Sequence, residues 1–312
     1  MNNHLEKVWL TIDIGGTRLK YGVFNQQGEI IEKHSRATQS DSLAAFLADL
    51  YAGIDSLAYR FSGIGISCPG AIDPLNQVIY EGGALRFLHG VRLGELLNAR
   101  YKLPVAIEND GKIVACAEQY GGSLQGVADG VAITLGTGVG GGIILNHQLR
   151  SGNHFRAGEL SFIVSRFTAG DVRWAGQLAS AVNTIKAINQ VKDHADLTDG
   201  ETALRYVNDG DPQARAIFDD FCREVARLLF NLHSTLDVQK IVIGGGISAQ
   251  PVLLERVRHH FAQLVAESRQ FGDFPFPEID RCHYQNDAAL YGAFFKLTRQ
   301  ADPALTASQA AG

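Results

Sequence analysis

The run Ala132–Leu145, Ala-Ile-Thr-Leu-Gly-Thr-Gly-Val-Gly-Gly-Gly-Ile-Ile-Leu, constrains the fold of this chain more than any other stretch. Apolar residues lead into a glycine-rich turn and apolar residues lead out, which predicts strand, tight turn, strand. Gly136, Gly138, Gly140, Gly141 and Gly142 carry no Cβ to hold a ligand off the main chain. Backbone N–H groups around Thr137 can then converge on phosphate oxygens. Read alone, the run is equally a hairpin whose turn needs positive φ. Two echoes bear on that choice. Leu10–Phe24 repeats the plan, with Asp13-Ile14-Gly15-Gly16-Thr17 between two apolar strands, and Ile241–Ser248 is a strand that ends in Gly244-Gly245-Gly246. Two such hairpins, one in each half, predict a duplicated domain with a cleft between the copies.

A chain of 312 residues is long enough for two domains, each with its own core. Hydrophobic residues at 46% and charged residues at 20% are ordinary for a globular protein. The net charge of −5 speaks against a nucleic-acid partner, which would leave a basic footprint. No apolar run approaches the roughly 18 residues that span a bilayer, so no membrane association is expected. Met1–Trp9 carries Glu6 and lacks an apolar signal core, which predicts a cytoplasmic protein. Cys68, Cys116, Cys222 and Cys282 stand singly and read as buried free thiols rather than disulfides.

Strands are expected at Val8–Ile14, Leu19–Phe24, Ile64–Ser67 and Val105–Glu108, with Cys68-Pro69-Gly70 a turn. Apolar spacing predicts helices over Asp41–Ile54, capped by Ser40 or Asp41, and over Leu93–Tyr101, Gly111–Tyr120 and Leu178–Val191. Further helices are expected at Asp211–Leu236, Leu253–Val265 and Ala288–Leu297. Of these Asp211–Leu236 is the strongest, with Phe218, Phe221, Val225, Leu229 and Leu232 in one stripe.

Two carboxylates carry the chemistry. Asp13, between an apolar strand and Gly15-Gly16-Thr17, suits a Mg²⁺ ion that keeps part of its water shell while holding phosphate oxygens. The alternative is an Asx-turn residue in a hairpin. Asp110 opens a helix, where the dipole favours an ionised carboxylate that can orient a hydroxyl and take its proton late in phosphoryl transfer. The alternative there is that Asn109 or Asp110 is only a helix cap, worth about 1 kcal/mol. Lys20 reads as a solvated strand-face charge.

With both hairpins, and with Glu108-Asn109-Asp110, a short helix, Ala117-Glu118 and the pair Gly121-Gly122, the chain resembles the ROK family of bacterial sugar kinases and repressors. That family lies within the sugar kinase/actin/heat-shock ATPase superfamily, and the resemblance runs from Trp9 to Leu297. It implies an α/β fold of duplicated ribonuclease-H-like (actin-like ATPase) domains with an interdomain cleft. Residues 1–112 plus 286–301 would form the sugar and phosphate domain, 113–285 the nucleotide domain, and 302–312 a flexible tail. ATP and Mg²⁺ would lie against Asp13, Gly15, Gly16 and Thr17 and against Gly136, Thr137, Gly138 and Gly140, with adenosine toward Gly244, Gly245 and Gly246. Asp110 would be the catalytic base. Asn109, Glu159, Gly82, Gly83, Arg156 and His154 would face the sugar.

The chain departs from the family after Gly158-Glu159. The family continues Ile-Gly-His and then a cysteine-rich zinc segment, whereas this chain has Leu160-Ser161-Phe162 and no cysteine between Cys116 and Cys222. No structural zinc is therefore expected. Lys112 also stands where the family commonly has Asn. The zinc-free β-glucoside kinases are similar here, in Gly82-Gly83-Ala84, in Arg156-Ala157-Gly158-Glu159 and in an aromatic residue at Phe162. That subgroup implies phosphorylation of the 6-hydroxyl of the non-reducing glucose in disaccharides such as cellobiose, by a homodimer. One alternative is a monosaccharide kinase acting on glucose, N-acetylmannosamine or fructose. A ROK-type sugar-responsive repressor is disfavoured because only twelve residues precede Asp13. An ATPase of the superfamily without a sugar acceptor leaves Asn109-Asp110 and Arg156–Glu159 unexplained.

Overall fold

The first glycine hairpin forms as the apolar pattern predicts. Val8–Ile14 (β1) and Arg18–Phe24 (β2) pair antiparallel, and Ile30–Ala37 (β3) adds a third antiparallel strand. The computed structural model describes residues 7–301. The tail expected over 302–312 lies outside them. Helix α1 (Leu43–Asp55) begins two residues later than expected, because the Ser42 hydroxyl, not Ser40 or Asp41, accepts from the Ala45 N–H at 3.2 Å. Phe61–Cys68 (β4) then runs parallel to β1. A small hairpin of Ala71–Asp73 (β5) and Val78–Tyr80 (β6) and helix α2 (Leu93–Tyr101) follow. Val105–Asn109 (β7) lies parallel to β4 and leads directly into α3 (Asp110–Gly121).

The second glycine hairpin repeats the scheme. Gly130–Leu135 (β8), Val139–Leu145 (β9) and Gln148–Leu149 (β10) form an antiparallel meander. A two-stranded hairpin, Val164–Thr168 (β11) and Asp171–Trp174 (β12), precedes four helices: Ala175–Leu178 (α4), Ala181–Val191 (α5), Gly200–Asn208 (α6) and Pro212–Leu236 (α7). Lys240–Gly244 (β13) then pairs parallel with β8, helix α8 (Pro251–Ser268) follows, and Glu278–Arg281 (β14) pairs parallel with β13. Helix α9 (Ala288–Ala301) closes the described chain. The two five-stranded sheets have the orders β3-β2-β1-β4-β7 and β10-β9-β8-β13-β14. Each is a meander joined to two parallel strands, so the duplication read from the glycine hairpins is a duplication of the whole sheet.

The chain divides into two compact units. One runs through Tyr120 and takes in Ser151–Ala157 and the segment from Asp287; the other comprises Gly121–Arg150 and Gly158–Asn286. Each has its own core. Leu10, Ile12, Phe46, Leu50, Ile64, Ile66 and Ile107 are buried together in the first. In the second, Val131, Ile133, Ile241 and Ile243 from the sheet meet Phe218, Phe221, Val225 and Leu229 of α7. The predicted stripe of α7 is thus its buried face. Asp211 caps this helix by accepting from the Ala214 N–H at 2.9 Å, and Pro212 occupies the first turn, where no N–H partner is missed. All four cysteines are buried and free. Among the described residues no helix is long and apolar enough to cross a membrane.

The helix expected over Leu178–Val191 is interrupted. Ser180 has extended backbone and its hydroxyl accepts from the Asn183 N–H at 3.1 Å, so a new helix starts at Ala181. Helix α6 and the hairpin β11–β12 were not expected. The hairpin carries Val164, Phe167, Val172 and Trp174 exposed, so no buried alternation marks it.

Helix α9 crosses β1, β4 and β7 of the first sheet. Phe294 stacks on Phe24 with centroids 4.6 Å apart and rings inclined by 10°. Gly292 is required at this crossing, since a Cβ there would lie 1.9 Å from the carbonyl oxygen of Ile113 in α3. A side chain would force the two helices apart. Gly292→Val is therefore expected to cost about 3 kcal/mol, the upper range for overpacking, read as a lower urea midpoint. An unchanged midpoint would contradict this backbone-to-backbone packing.

Candidate active site

The register of three parallel strands sets out the first half of the site. Asp13 of β1 is level with Ser67 of β4, and Ser67 with Glu108 of β7. Neighbouring strands lie about 4.8 Å apart, so these three residues form one row at the carboxyl ends of the strands, where open α/β sheets bind ligands. The Ser67 hydroxyl donates to Asp13 Oδ1 at 2.8 Å, and Lys20 Nζ lies 3.3 Å from Asp13 Oδ2. Lys20 is therefore not a merely solvated charge. Antiparallel pairing of β1 and β2 sets it opposite Asp13. Beneath the row, burial pushes the Cys68 thiol well above its ordinary pKa, and the carboxylates of Asp110 and Asp13 push it further. Both aspartates are thus within electrostatic reach of one buried sulfur.

Asn109 and Asp110 divide the work that the sequence left open between them. Asn109 is buried, and its Oδ1 accepts from the N–H groups of Gly111 and Lys112, both at 3.0 Å. It is the cap of α3. Its amide nitrogen donates to the Gly70 carbonyl at 2.9 Å and to Asp110 Oδ1 at 3.0 Å. Both donors and the acceptor of its side chain are engaged within the protein, and the bond to Asp110 Oδ1 orients that carboxylate. Asp110 itself is exposed and also accepts from the Gly111 N–H at 2.8 Å.

Glu108 fixes this pair from behind. It is fully buried; Oε1 accepts from the Asn109 N–H at 3.0 Å and Oε2 from Lys296 Nζ of α9 at 2.5 Å. Burial works against the charge on Lys296 more than any other single influence, yet the charge and hydrogen bond of Glu108, with Cys116 and Tyr120 beside them, together hold the ammonium pKa above its ordinary value. Neither Ser67 nor Lys296 is legible as a site residue in sequence, because strand register and a contact across 188 positions bring them in.

In the turn that follows β1, the Gly15 N–H donates to the Arg18 carbonyl at 2.9 Å, so Gly15 shapes the turn. Thr38 braces it, with its hydroxyl on the Gly15 carbonyl at 2.8 Å and its N–H on the Thr17 carbonyl at 3.0 Å. A Cβ at Gly16 would lie 2.9 Å from the Ala84 Cβ, so the turn abuts the Gly82-Gly83-Ala84 loop. Arg156 Nη2 lies 3.3 Å from Glu81 Oε2, which brings the Ser151–Ala157 segment to the same loop. His154 is exposed on that segment.

The second unit holds the other expected residues. The turn Gly136-Thr137-Gly138 joins β8 to β9, while Gly140 lies within β9 opposite Thr134. Two serines that sequence reasoning missed fasten this turn. Ser180 donates to the Thr137 carbonyl at 2.8 Å, so the residue that interrupts the expected helix also holds the glycine turn. The Ser161 hydroxyl accepts from the Val139 N–H at 2.8 Å and donates to the Val139 carbonyl at 3.1 Å. Ser161 belongs to a short 3₁₀ turn, Leu160–Phe162, that begins after Glu159 and packs Leu160 against Gly141. Gly244-Gly245-Gly246 ends β13 beside β8, with Gly245 so close that a Cβ would meet the Leu135 carbonyl oxygen at 2.2 Å.

Asp13 with the Ser67 hydroxyl fits a Mg²⁺ ion held largely by water and phosphate, since that cation needs only one or two protein carboxylates. Among the described residues no three His, Cys, Asp or Glu side chains stand together as a ready-made cage.

The sequence profile of the ROK family matches residues 9–300. This chain belongs to the ROK family. Its ROK relatives include a β-glucoside kinase of Klebsiella pneumoniae, 33% identical over 293 residues that cover 92% of this chain and 95% of the relative. Among solved ROK structures, a protein from Streptococcus pneumoniae in complex with sucrose is 29% identical and superposes with a TM-score of 0.83, over 95% of this chain and 99% of that one. A ROK glucokinase from Streptomyces griseus in complex with glucose and AMPPNP is 25% identical, with a TM-score of 0.75 over 92% of this chain and 97% of that one. The chain thus has the actin-like ATPase fold that the resemblance implied.

Within this ROK chain the buried Glu108–Lys296 pair is the brace most open to attack. Lys296→Met would leave a desolvated carboxylate without its cation and is expected to cost about 3–5 kcal/mol of stability. Chemical denaturation reads this directly, and a loss below 1 kcal/mol would show that the pair is not a brace.

Proposed function

We propose that this chain is an ATP-dependent carbohydrate kinase that phosphorylates the 6-hydroxyl of the non-reducing glucose in a β-glucoside such as cellobiose. The observation that carries the reading is the row at the carboxyl ends of β1, β4 and β7: Asp13 bonded to Ser67, and Asp110 oriented by Asn109 at the start of α3. A carboxylate set beside a helix N-terminus keeps its charge for the moment a proton must be taken. In a loose phosphoryl-transfer transition state that moment comes late, so Asp110 first orients the attacking hydroxyl and then accepts its proton.

The other residues take supporting parts. Gly16, Thr17, Thr137 and Gly138 would receive phosphate oxygens on turns that Thr38, Ser161 and Ser180 keep from collapsing. Gly244, Gly245 and Gly246 would face the adenosine. Asp13 would hold Mg²⁺ through water, with Lys20 offsetting its charge; the metal, when bound, neutralises charge on the transferring phosphoryl group. Glu159, Arg156, His154, Gly82 and Gly83 would face the sugar. The β-glucoside kinase relatives and the neighbour that holds sucrose support a two-ring acceptor. The neighbour that holds AMPPNP supports ATP as donor. We also propose a homodimer in the cytoplasm, without a nucleic-acid partner. Four buried free thiols suit a reducing compartment, and the net charge of −5 suits the absence of a polyanion.

An ADP-release assay across glucose, N-acetylmannosamine, fructose, cellobiose and gentiobiose tests the reading, with the disaccharides expected to give the highest kcat/KM. Preference for a monosaccharide over both disaccharides would replace the β-glucoside assignment with a monosaccharide kinase. Asp110→Asn is expected to lower kcat by ~10²–10⁴, the range for loss of a general base, with little change in KM. Turnover near that of the unmodified enzyme would remove Asp110 from the role of base.

A further inference from the structure

The segment Ser151–Ala157 belongs to the first unit although the residues on either side of it belong to the second. Lys112 in α3, fully buried, donates from Nζ to the Phe155 carbonyl at 2.6 Å. Phe155 has φ of +57°, a left-handed backbone that costs a non-glycine residue roughly 1–2 kcal/mol. Its ring lies parallel to that of Tyr80, inclined by 8° with centroids 6.1 Å apart. The next residue, Arg156, pairs with Glu81, the residue after Tyr80. Two short strips, Tyr80-Glu81 and Phe155-Arg156, therefore meet side by side, aromatic to aromatic and charge to charge.

This arrangement is costly for stability alone. An apolar residue at 112 would avoid burying an ammonium, the backbone of Phe155 is strained, and an exposed ion pair contributes at most about 1 kcal/mol. Tyr80 is 39% exposed, and the side chains of Arg156 and Glu81 are 48% and 67% exposed. A part-exposed aromatic pair next to two charged groups suits a sugar ring. Its C–H face settles on the electron-rich ring, and its hydroxyls find donors and acceptors at the rim. Both strips lead along the chain into residues proposed above to face the sugar, Gly82-Gly83 from one and Glu159 from the other.

Resting on that kinase reading, we propose that Tyr80, Glu81, Phe155 and Arg156 form a subsite for the second ring of a disaccharide, the ring that is not phosphorylated, and that Lys112 is the positioning residue that holds it. The ammonium of Lys112 fixes the Phe155 carbonyl, and through it the strained turn that presents the Phe155 ring and the Arg156 guanidinium. Steady-state kinetics on cellobiose and on glucose with Tyr80→Ala, Phe155→Ala and Lys112→Met test this. The ratio of kcat/KM for cellobiose to that for glucose is expected to fall about tenfold in each, through KM for cellobiose rather than kcat, the scale of one aromatic contact. A ratio that stays constant in Tyr80→Ala and Phe155→Ala overturns the subsite and leaves the kinase standing. A constant ratio in folded Lys112→Met overturns the positioning role. If Lys112→Met does not fold, the two aromatic variants still decide the subsite. Unmodified enzyme that turns over glucose but no disaccharide overturns the subsite together with the β-glucoside assignment and leaves a kinase standing, and enzyme that phosphorylates no sugar overturns the kinase reading and the subsite with it.

Discussion

Level endings of three parallel strands underlie the chemistry of the first unit. Because β1, β4 and β7 pair in register at Asp13, Ser67 and Glu108, side chains more than ninety positions apart along the chain fall into one line. A slip of one residue in any of these pairings would turn the side chains to the opposite face of the sheet. The apolar residues that alternate with them, Ile12, Ile66 and Ile107, are fully or almost fully buried and set the penalty for such a slip. The hydrophobic core thereby fixes the polar row.

Buried charge is the second constraint. Glu108 and Lys112 are fully removed from water on either side of Asn109-Asp110, and each is matched, Glu108 by Lys296 and the Asn109 N–H, Lys112 by the Phe155 carbonyl. Apolar substitutes would fill such positions at less cost to stability, so the gain lies in directionality. A carboxylate that must receive an ammonium on one oxygen and an N–H on the other has one orientation, and the main chain of Asn109 takes that orientation with it. The second unit uses neutral hydroxyls for the same end: Ser161 and Ser180 bond the main chain of the glycine turn without carrying charge near it.

How much of this was legible in the sequence depends on the range of the interaction. Glycine hairpins and the long helix α7 are local, and their strands and stripe were read from neighbouring residues. The duplicated sheet followed, since two similar hairpins in one chain need two similar sheets. Asn109 was legible as a candidate site residue and as a cap, but its bond to the Gly70 carbonyl, 39 positions away, was not. Ser180 carried a local signal, a serine three residues before Asn183 at a helix start, hidden inside a run with continuous apolar spacing. Ser67, Ser161, Lys112 and Lys296 carried none. Their roles come from register or from partners dozens of residues away. The hairpin β11–β12 escaped because its apolar side chains face solvent, and a pattern without a buried side does not betray its period.

The position of α9 has a further consequence for the order of events during synthesis. The strands of the first sheet leave the ribosome early, yet the counter-charge to Glu108 arrives 188 residues later, along with the ring of Phe294 that stacks on Phe24. Until then a carboxylate that ends up dry lacks its cation, and β7, although β4 beside it is already made, lacks the helix that packs on it. The half of the molecule made first is therefore completed by a helix made late, across a closure of 188 residues.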